Sequence, residues 1–191
     1  MVMEKEYMVD VQNVDASNFI SNRGILNLFE NIPCLHSDIA GYGMNQIEKT
    51  NLTWILLNWK VRVLKRVVYG SKVNVKTWAR TSSTFFTLRD FEMYDENGNL
   101  ICIASSKWTL IDATNGRILR ITPEIIETYS PEPEKSVFGE NDIAKLKEPE
   151  QLRNSENAIL PVYTFSPQRR DIDINKHMHN IYYLDYAMEA L

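Results

Sequence analysis

The sequence predicts an α+β fold in which one long helix packs against an antiparallel sheet. Three observations carry this reading. A stretch with apolar residues at helical spacing stands near the start, and alternating stretches rich in β-branched and aromatic residues follow it. Those stretches are separated by turn signals: Gly70-Ser71, Asp95-Glu96-Asn97-Gly98 and Asn115-Gly116. Nothing between them is long enough for a parallel crossover.

Taken in order, YMVDVQNV at residues 7–14 alternates as a strand does, and Asp15-Ala16-Ser17 offers helix-capping side chains. The predicted helix covers residues 15–32. Phe19, Ile20, Leu26, Phe29 and Ile32 recur at helical spacing, Gly24 interrupts them, and Pro33 makes continuation costly. Gly41-Tyr42-Gly43 reads as loop. TWILLNWKVRVL (53–64), KVNVKTWAR (72–80), TFFTLRDFEMY (84–94) and LICIASSKWTLI (100–111) read as strands, with RILRI (117–121) after the last turn. Trp54, Trp59, Trp78 and Trp108 read as core residues of these strands.

The first domain is placed at residues 1–130. Pro131, Pro133 and Pro149, many charges and few apolar residues make 131–158 a linker or short surface helix. Residues 159–191 open a second domain: a strand (ILPVYTF, 159–165), a polar segment, and a helix (NIYYLDYAMEAL, 180–191) with Ile181, Leu184, Ala187, Met188 and Leu191 on one face and Asn180 as its cap. The order strand, polar turn, amphipathic helix with a late glutamate (Glu30, then Glu189) occurs twice. A duplicated domain is expected, its second copy incomplete in this chain, because the strands that would bury that apolar face are missing from the sequence.

With 191 residues, 44% of them apolar and 24% charged, the composition is that of an ordinary globular protein. A net charge of −4 argues against nucleic acid as a partner, although Gln168-Arg169-Arg170 can meet a local acidic surface. Cys34 and Cys102 are far apart and neither is in a Cys-x-x-Cys arrangement, so no disulfide framework or thiolate metal cluster is expected. Cys34 reads as a buried thiol. No apolar run approaches the roughly 20 residues of a membrane span, and the acidic N-terminus is unlike a signal peptide. A cytoplasmic location is expected.

The segment DIDINKHMHN, residues 171–180, places Asp171, Asp173, Asn175 and His177 at every second position. If extended, it turns these four to one side. Carboxylate, amide and imidazole together can orient a water, accept its proton near neutral pH and steady the charge that forms, as hydrolysis of an activated acyl group requires. A helix starting near Asn180 adds N–H groups where an oxyanion can be held. Other readings compete. Asp-x-Asp-x-Asn opens a calcium loop, but Lys176 stands where Gly is needed and Tyr182 where a bidentate Glu is needed. His177, His179 and Asp173 can share a zinc ion in a strand. Polar groups of this kind also cap helices and close turns. The residues alone leave these alternatives open.

Arg169 to Glu189, RRDIDINKHMHNIYYLDYAME, resembles the active-site segment of acyl-[acyl-carrier-protein] thioesterases, which reads Asp-x-Asp-x-Asn-x-His-x-Asn-Asn before an aromatic-rich helix ending in Glu. KVNVKTWAR, Arg89-Asp90 and SSKWTLID resemble that family's N-terminal unit. The resemblance implies a tandem hot-dog fold, each unit wrapping an antiparallel sheet around a long central helix. It implies that Asp173, Asn175 and His177 are catalytic, with Asp171 at most supporting them, and that the first unit houses the acyl chain. His179 departs from the family's Asn and is assigned no chemistry. A further acid or thiol of the family's second unit has no counterpart before Leu191.

The activity implied is release of free fatty acid from acyl carrier protein in fatty acid biosynthesis, with no metal or organic cofactor and possible homodimerisation. His177 is the base on water, Asp173 orients or charges its imidazole, and Asn175 holds water or carbonyl. A covalent route through the acid is an alternative, as are a coenzyme A thioester substrate and a non-catalytic acyl-binding module.

Overall fold

Five strands, β1 (Met3–Met8), β2 (Leu52–Val63), β3 (Lys72–Ser82), β4 (Thr87–Asp95) and β5 (Leu100–Asp112), form one antiparallel sheet in the order β1-β3-β4-β5-β2. They come from a computed structural model that describes residues 1–139, 163–173 and 176–190. The β4–β5 hairpin closes through Asp95, whose side chain accepts the backbone N–H groups of Asn97 and Asn99 while Gly98 takes a φ of +78°. That is the turn the Asp-Glu-Asn-Gly signal predicts.

The long helix α1 (Asn22–Ala40) lays Ile25, Leu28, Phe29 and Ile32 into the core against Val73, Val75, Phe91, Met93 and Ile101. Phe29, Trp59 and Phe91 meet there, with ring centroids 5.0–6.2 Å apart. Each end of α1 departs from the sequence expectation. Its cap is Ser21, whose Oγ accepts the N–H of Gly24 at 2.9 Å, and not Asp15, which closes a local turn on Ser17. The helix also runs through Pro33 to Ala40, ending at left-handed Gly41. Proline removes one helical hydrogen bond at a cost of about 3 kcal/mol. The second half of the helix offsets this by burying Ile32, Pro33 and His36.

Gly24 is not a defect in the helical pattern. A Cβ on it would lie 2.1 Å from the Asn13 carbonyl oxygen, so the preceding loop can pack on the helix here because there is no side chain.

The first strand is β1, ending at Met8, and not residues 7–14. Asp10 captures the N–H of Gln12 at 2.9 Å and starts a 3-10 turn over Val11–Asn13, which competes with a continued ladder. RILRI supplies one bridge, Ile118 to Ile111, and not a strand. Beyond Trp108, the last β5 residue paired with β4, few residues of β5 remain to pair. Two short helices, α2 (Ile47–Thr50) and α3 (Pro123–Glu127), were not predicted.

The chain divides into two compact units, Met1–Gly139 and Glu140–Leu191. Residues 131–139 belong with the first and cover the sheet face opposite α1. Trp78 Nε1 donates to the Lys135 carbonyl at 2.8 Å, the N–H of Glu132 to the Ala79 carbonyl at 2.8 Å, and the N–H of Val137 to Asp90 at 3.0 Å. Both faces of β3 are therefore buried at Thr77 and Trp78.

In the second unit, helix α4 (Asn180–Glu189) begins at His179 as cap, one residue before the expected Asn180. Ile181 is buried and Leu184 half-buried, while Ala187 and Met188 are exposed and Leu191 lies outside the described residues. Tyr163–Phe165 of the expected strand belong to no regular element, and 159–162 lie outside the described residues. Among the described residues of this unit no strand is present for them to pair with.

Candidate active site

The segment that sequence alternation treats as extended is folded back on itself. Ile172 and Met178 form an antiparallel bridge, the N–H of Asp173 donates to the His177 carbonyl at 2.8 Å, and that of Lys176 donates to the Asp173 carbonyl at 3.0 Å. Lys176 takes a left-handed φ of +61° to complete the turn. Asp173 closes it further, its Oδ1 accepting the N–H of His177 at 3.2 Å. An aspartate at the start of a turn does this because its short side chain reaches the backbone a few residues on.

Asp173 and His177 are thus neighbours because of a turn, not because they share one face of a strand. Asp173 is half-buried and His177 exposed; Asn175 lies outside the described residues. The carboxylate grips the backbone of His177, so it fixes where on the turn that residue is carried. Lys176, Arg169 and Arg170 are exposed around the same turn.

Asp171 is the most buried polar group here, at 1% exposure. Its Oδ2 accepts the Tyr186 hydroxyl at 2.6 Å and the N–H of Gln168 at 2.7 Å, and its carbonyl accepts the N–H of His179 at 2.8 Å. Arg170 Nε lies 3.7 Å from Oδ1, but Arg170 is 81% exposed and that ion pair adds little. Tyr186 stacks on Phe165 at 3.7 Å between centroids, and its phenol pKa is raised chiefly by the bond to Asp171. Nothing in the sequence pointed to Tyr186. His179 makes no side-chain cap on α4.

A second polar cluster, invisible in the sequence, lies inside the first unit. Arg89 and His36 are both buried, and Arg89 Nη2 donates to His36 Nδ1 at 3.2 Å, which puts the ring proton on Nε2. Arg89 Nη1 donates to Thr77 Oγ1 at 3.3 Å. Trp54 Nε1 donates to the Tyr129 hydroxyl at 2.8 Å, and Tyr129 donates to Ser37 at 3.2 Å. Burial, and then the Arg89 charge, bring the His36 pKa down to about 4. Burial brings Arg89 down to about 10, with Tyr129 and Cys34 opposing it. Burial pushes the Cys34 thiol up, aided by Glu30 and Asp38, so this cysteine is a poor nucleophile.

Among the described residues no group of three or more His, Cys, Asp or Glu side chains is placed to hold a metal ion. No helix of these residues is long and apolar enough to cross a membrane.

Comparison with known proteins converges on one family. Residues 1–129 match the acyl-ACP thioesterase N-terminal domain and residues 155–191 the acyl-ACP thioesterase C-terminal domain. Oleoyl-acyl carrier protein thioesterase 2, chloroplastic, of Arabidopsis thaliana is 24% identical over 98% of this chain and 53% of its own length. Palmitoyl-acyl carrier protein thioesterase, chloroplastic, of Cuphea hookeriana is 24% identical over 100% of this chain and 47% of its own. The chain spans about half the length of the curated relatives it matches.

Among solved structures, an acyl-ACP thioesterase from Bacteroides thetaiotaomicron VPI-5482 superposes with a TM-score of 0.82 at 22% identity, covering 100% of this chain and 73% of that one. The 12:0-ACP thioesterase from Umbellularia californica gives 0.78 at 22%, covering 99% and 74%. These likenesses bear out the hot-dog fold: a long helix held against an antiparallel sheet.

Proposed function

Since the chain belongs to the acyl-ACP thioesterase family, we propose that its protein hydrolyses the thioester of fatty acyl-[acyl-carrier-protein] and releases free fatty acid for lipid biosynthesis. Asp173, Asn175 and His177 are the residues we assign to the reaction. The observation that carries the assignment is the turn, in which Asp173 and His177 hold each other through bonds of 2.8 and 3.2 Å within the segment matched to the family's C-terminal domain.

In this reading His177 takes a proton from the attacking water, and the water oxygen adds to the thioester carbonyl. Asp173, tied to the backbone of His177, stabilises the imidazolium that results. Asn175 lies between them in sequence and is assigned to hold water or carbonyl oxygen. The oxyanion forms near the first turn of α4, whose N-terminal dipole favours negative charge. Collapse of the tetrahedral intermediate expels the thiolate, which takes the proton back from His177. Exposed Arg169, Arg170 and Lys176 favour an acidic carrier as the partner. Two free cysteines fit a reducing compartment, and we place the protein in the cytoplasm.

The test is steady-state turnover by the full-length protein of one acyl chain presented on carrier protein and on coenzyme A. A higher kcat/KM on the carrier is expected. Equal or better turnover of the coenzyme A ester overturns the carrier assignment, and fatty acid binding without turnover of either overturns the enzyme reading.

A further inference from the structure

We propose that Tyr186 is a positioning residue for this reaction, acting through Asp171 to hold the Asp173–His177 turn against the start of α4. The inference rests on the site assigned above. The Tyr186 hydroxyl donates to Asp171 Oδ2 at 2.6 Å, a short bond of the strength expected when the acceptor is charged. The same carboxylate oxygen takes the N–H of Gln168 at 2.7 Å, which closes the 3-10 turn Arg169–Asp171.

From Asp171 the constraint passes through the backbone in two directions. Its carbonyl anchors the N–H of His179 at 2.8 Å, where α4 starts. Two residues on, Asp173 begins the turn that carries His177. The Ile172–Met178 bridge spans the base of that turn, so the Asp171 to His179 bond and the bridge are successive rungs of one small ladder. Tyr186, almost two turns along α4, ties this ladder's open end to the helix. Its own ring is held by stacking on Phe165, at 3.7 Å and 10°. Apart from Asp171, none of these contacts needs a charge. Replacing the hydroxyl leaves a buried carboxylate oxygen with one donor fewer, and the ladder loses the tie that Tyr186 supplies. Loss of such a supporting bond displaces a reacting group without removing it.

The experiment compares Tyr186→Phe, Asp171→Asn, the double variant and Phe165→Leu in the full-length protein, with His177→Ala beside them, on acyl-carrier-protein substrate. The rate is expressed per folded molecule from each unfolding transition. Tyr186→Phe is expected to lower kcat on the order of tenfold with KM within about twofold. The double variant should fall little further than the worse single one, since both remove the same bond. Phe165→Leu, which loosens the ring but keeps the hydroxyl, should lower the unfolding midpoint and lower kcat less than Tyr186→Phe does. Unchanged kcat in Tyr186→Phe, multiplicative losses in the double variant, or an equal kcat loss in Phe165→Leu each overturns the positioning role. If His177→Ala turns over like the native protein, the site assignment itself fails and the inference falls with it. A dead His177→Ala with a fully active Tyr186→Phe rejects the inference alone.

Discussion

Lowering the pH from 7 to 4 should destabilise the first unit through one residue, His36. In the folded protein this ring is buried and accepts a hydrogen bond from the Arg89 guanidinium at 3.2 Å, so protonating it would break that bond and set two cations side by side. The folded pKa is about 4 against an ordinary 6.5. Between those values the unfolded chain binds a proton that the folded chain refuses, so the contribution is fully present above about pH 6.5 and is lost as pH falls towards 4. At 1.36 kcal/mol per pH unit the complete loss is at most about 3 kcal/mol, with about 2 kcal/mol already gone at pH 5. Urea unfolding at pH 7, 6, 5 and 4 measures it, and a midpoint shift of about 1 M corresponds to that loss. His36→Gln is the reference, since its amide oxygen can accept from Arg89 and does not titrate. Carboxylates are common to both proteins, so the difference between the two pH profiles isolates His36. Parallel profiles over the whole range would refute the argument.

Gly24→Ala is expected to destabilise the fold by about 1–3 kcal/mol, because the new Cβ would sit 2.1 Å from the Asn13 carbonyl oxygen. Helix propensity alone predicts the opposite sign, about 1 kcal/mol of gain, so a rise in thermal midpoint would contradict the packing argument. Charge reversal at exposed Arg169 and Lys176 should raise KM for the carrier-protein substrate roughly threefold to tenfold at low salt and flatten its salt dependence, with kcat little changed. A KM insensitive to both substitutions would place the carrier elsewhere on the surface.

The strands were legible because each carries its own signal. Alternation in Val73 and Val75, and the Asp95 to Gly98 turn, are properties of short stretches, and β2 to β5 fall close to where those stretches stand. The ends of α1 were not legible. Pro33 is a local stop signal, and what overrides it is the burial of Ile32 and His36 against residues distant in sequence. Gly24 reads as a weakness until Asn13 is seen lying across it. In the site, Asp173 and His177 come together, but not in the way the alternation suggested. A period of two suggested one strand face, whereas the Asp173 side chain bends the backbone into a turn and meets His177 that way. Asn175, on which the same alternation placed a third group, lies outside the described residues. Arg89 with His36, and Asp171 with Tyr186, are pairs separated by 53 and 15 residues, and no local pattern announces either.

The assignment of the site stands or falls on His177. Hydrolysis of acyl-carrier-protein thioester should be measured for full-length native protein and for His177→Ala, with both shown to be folded by their unfolding transitions. Removal of a general base predicts a fall in kcat of at least about 100-fold with substrate binding retained. A His177→Ala protein that turns over within about twofold of native would show that the Asp173–His177 turn is a structural feature and that the thioester is broken elsewhere.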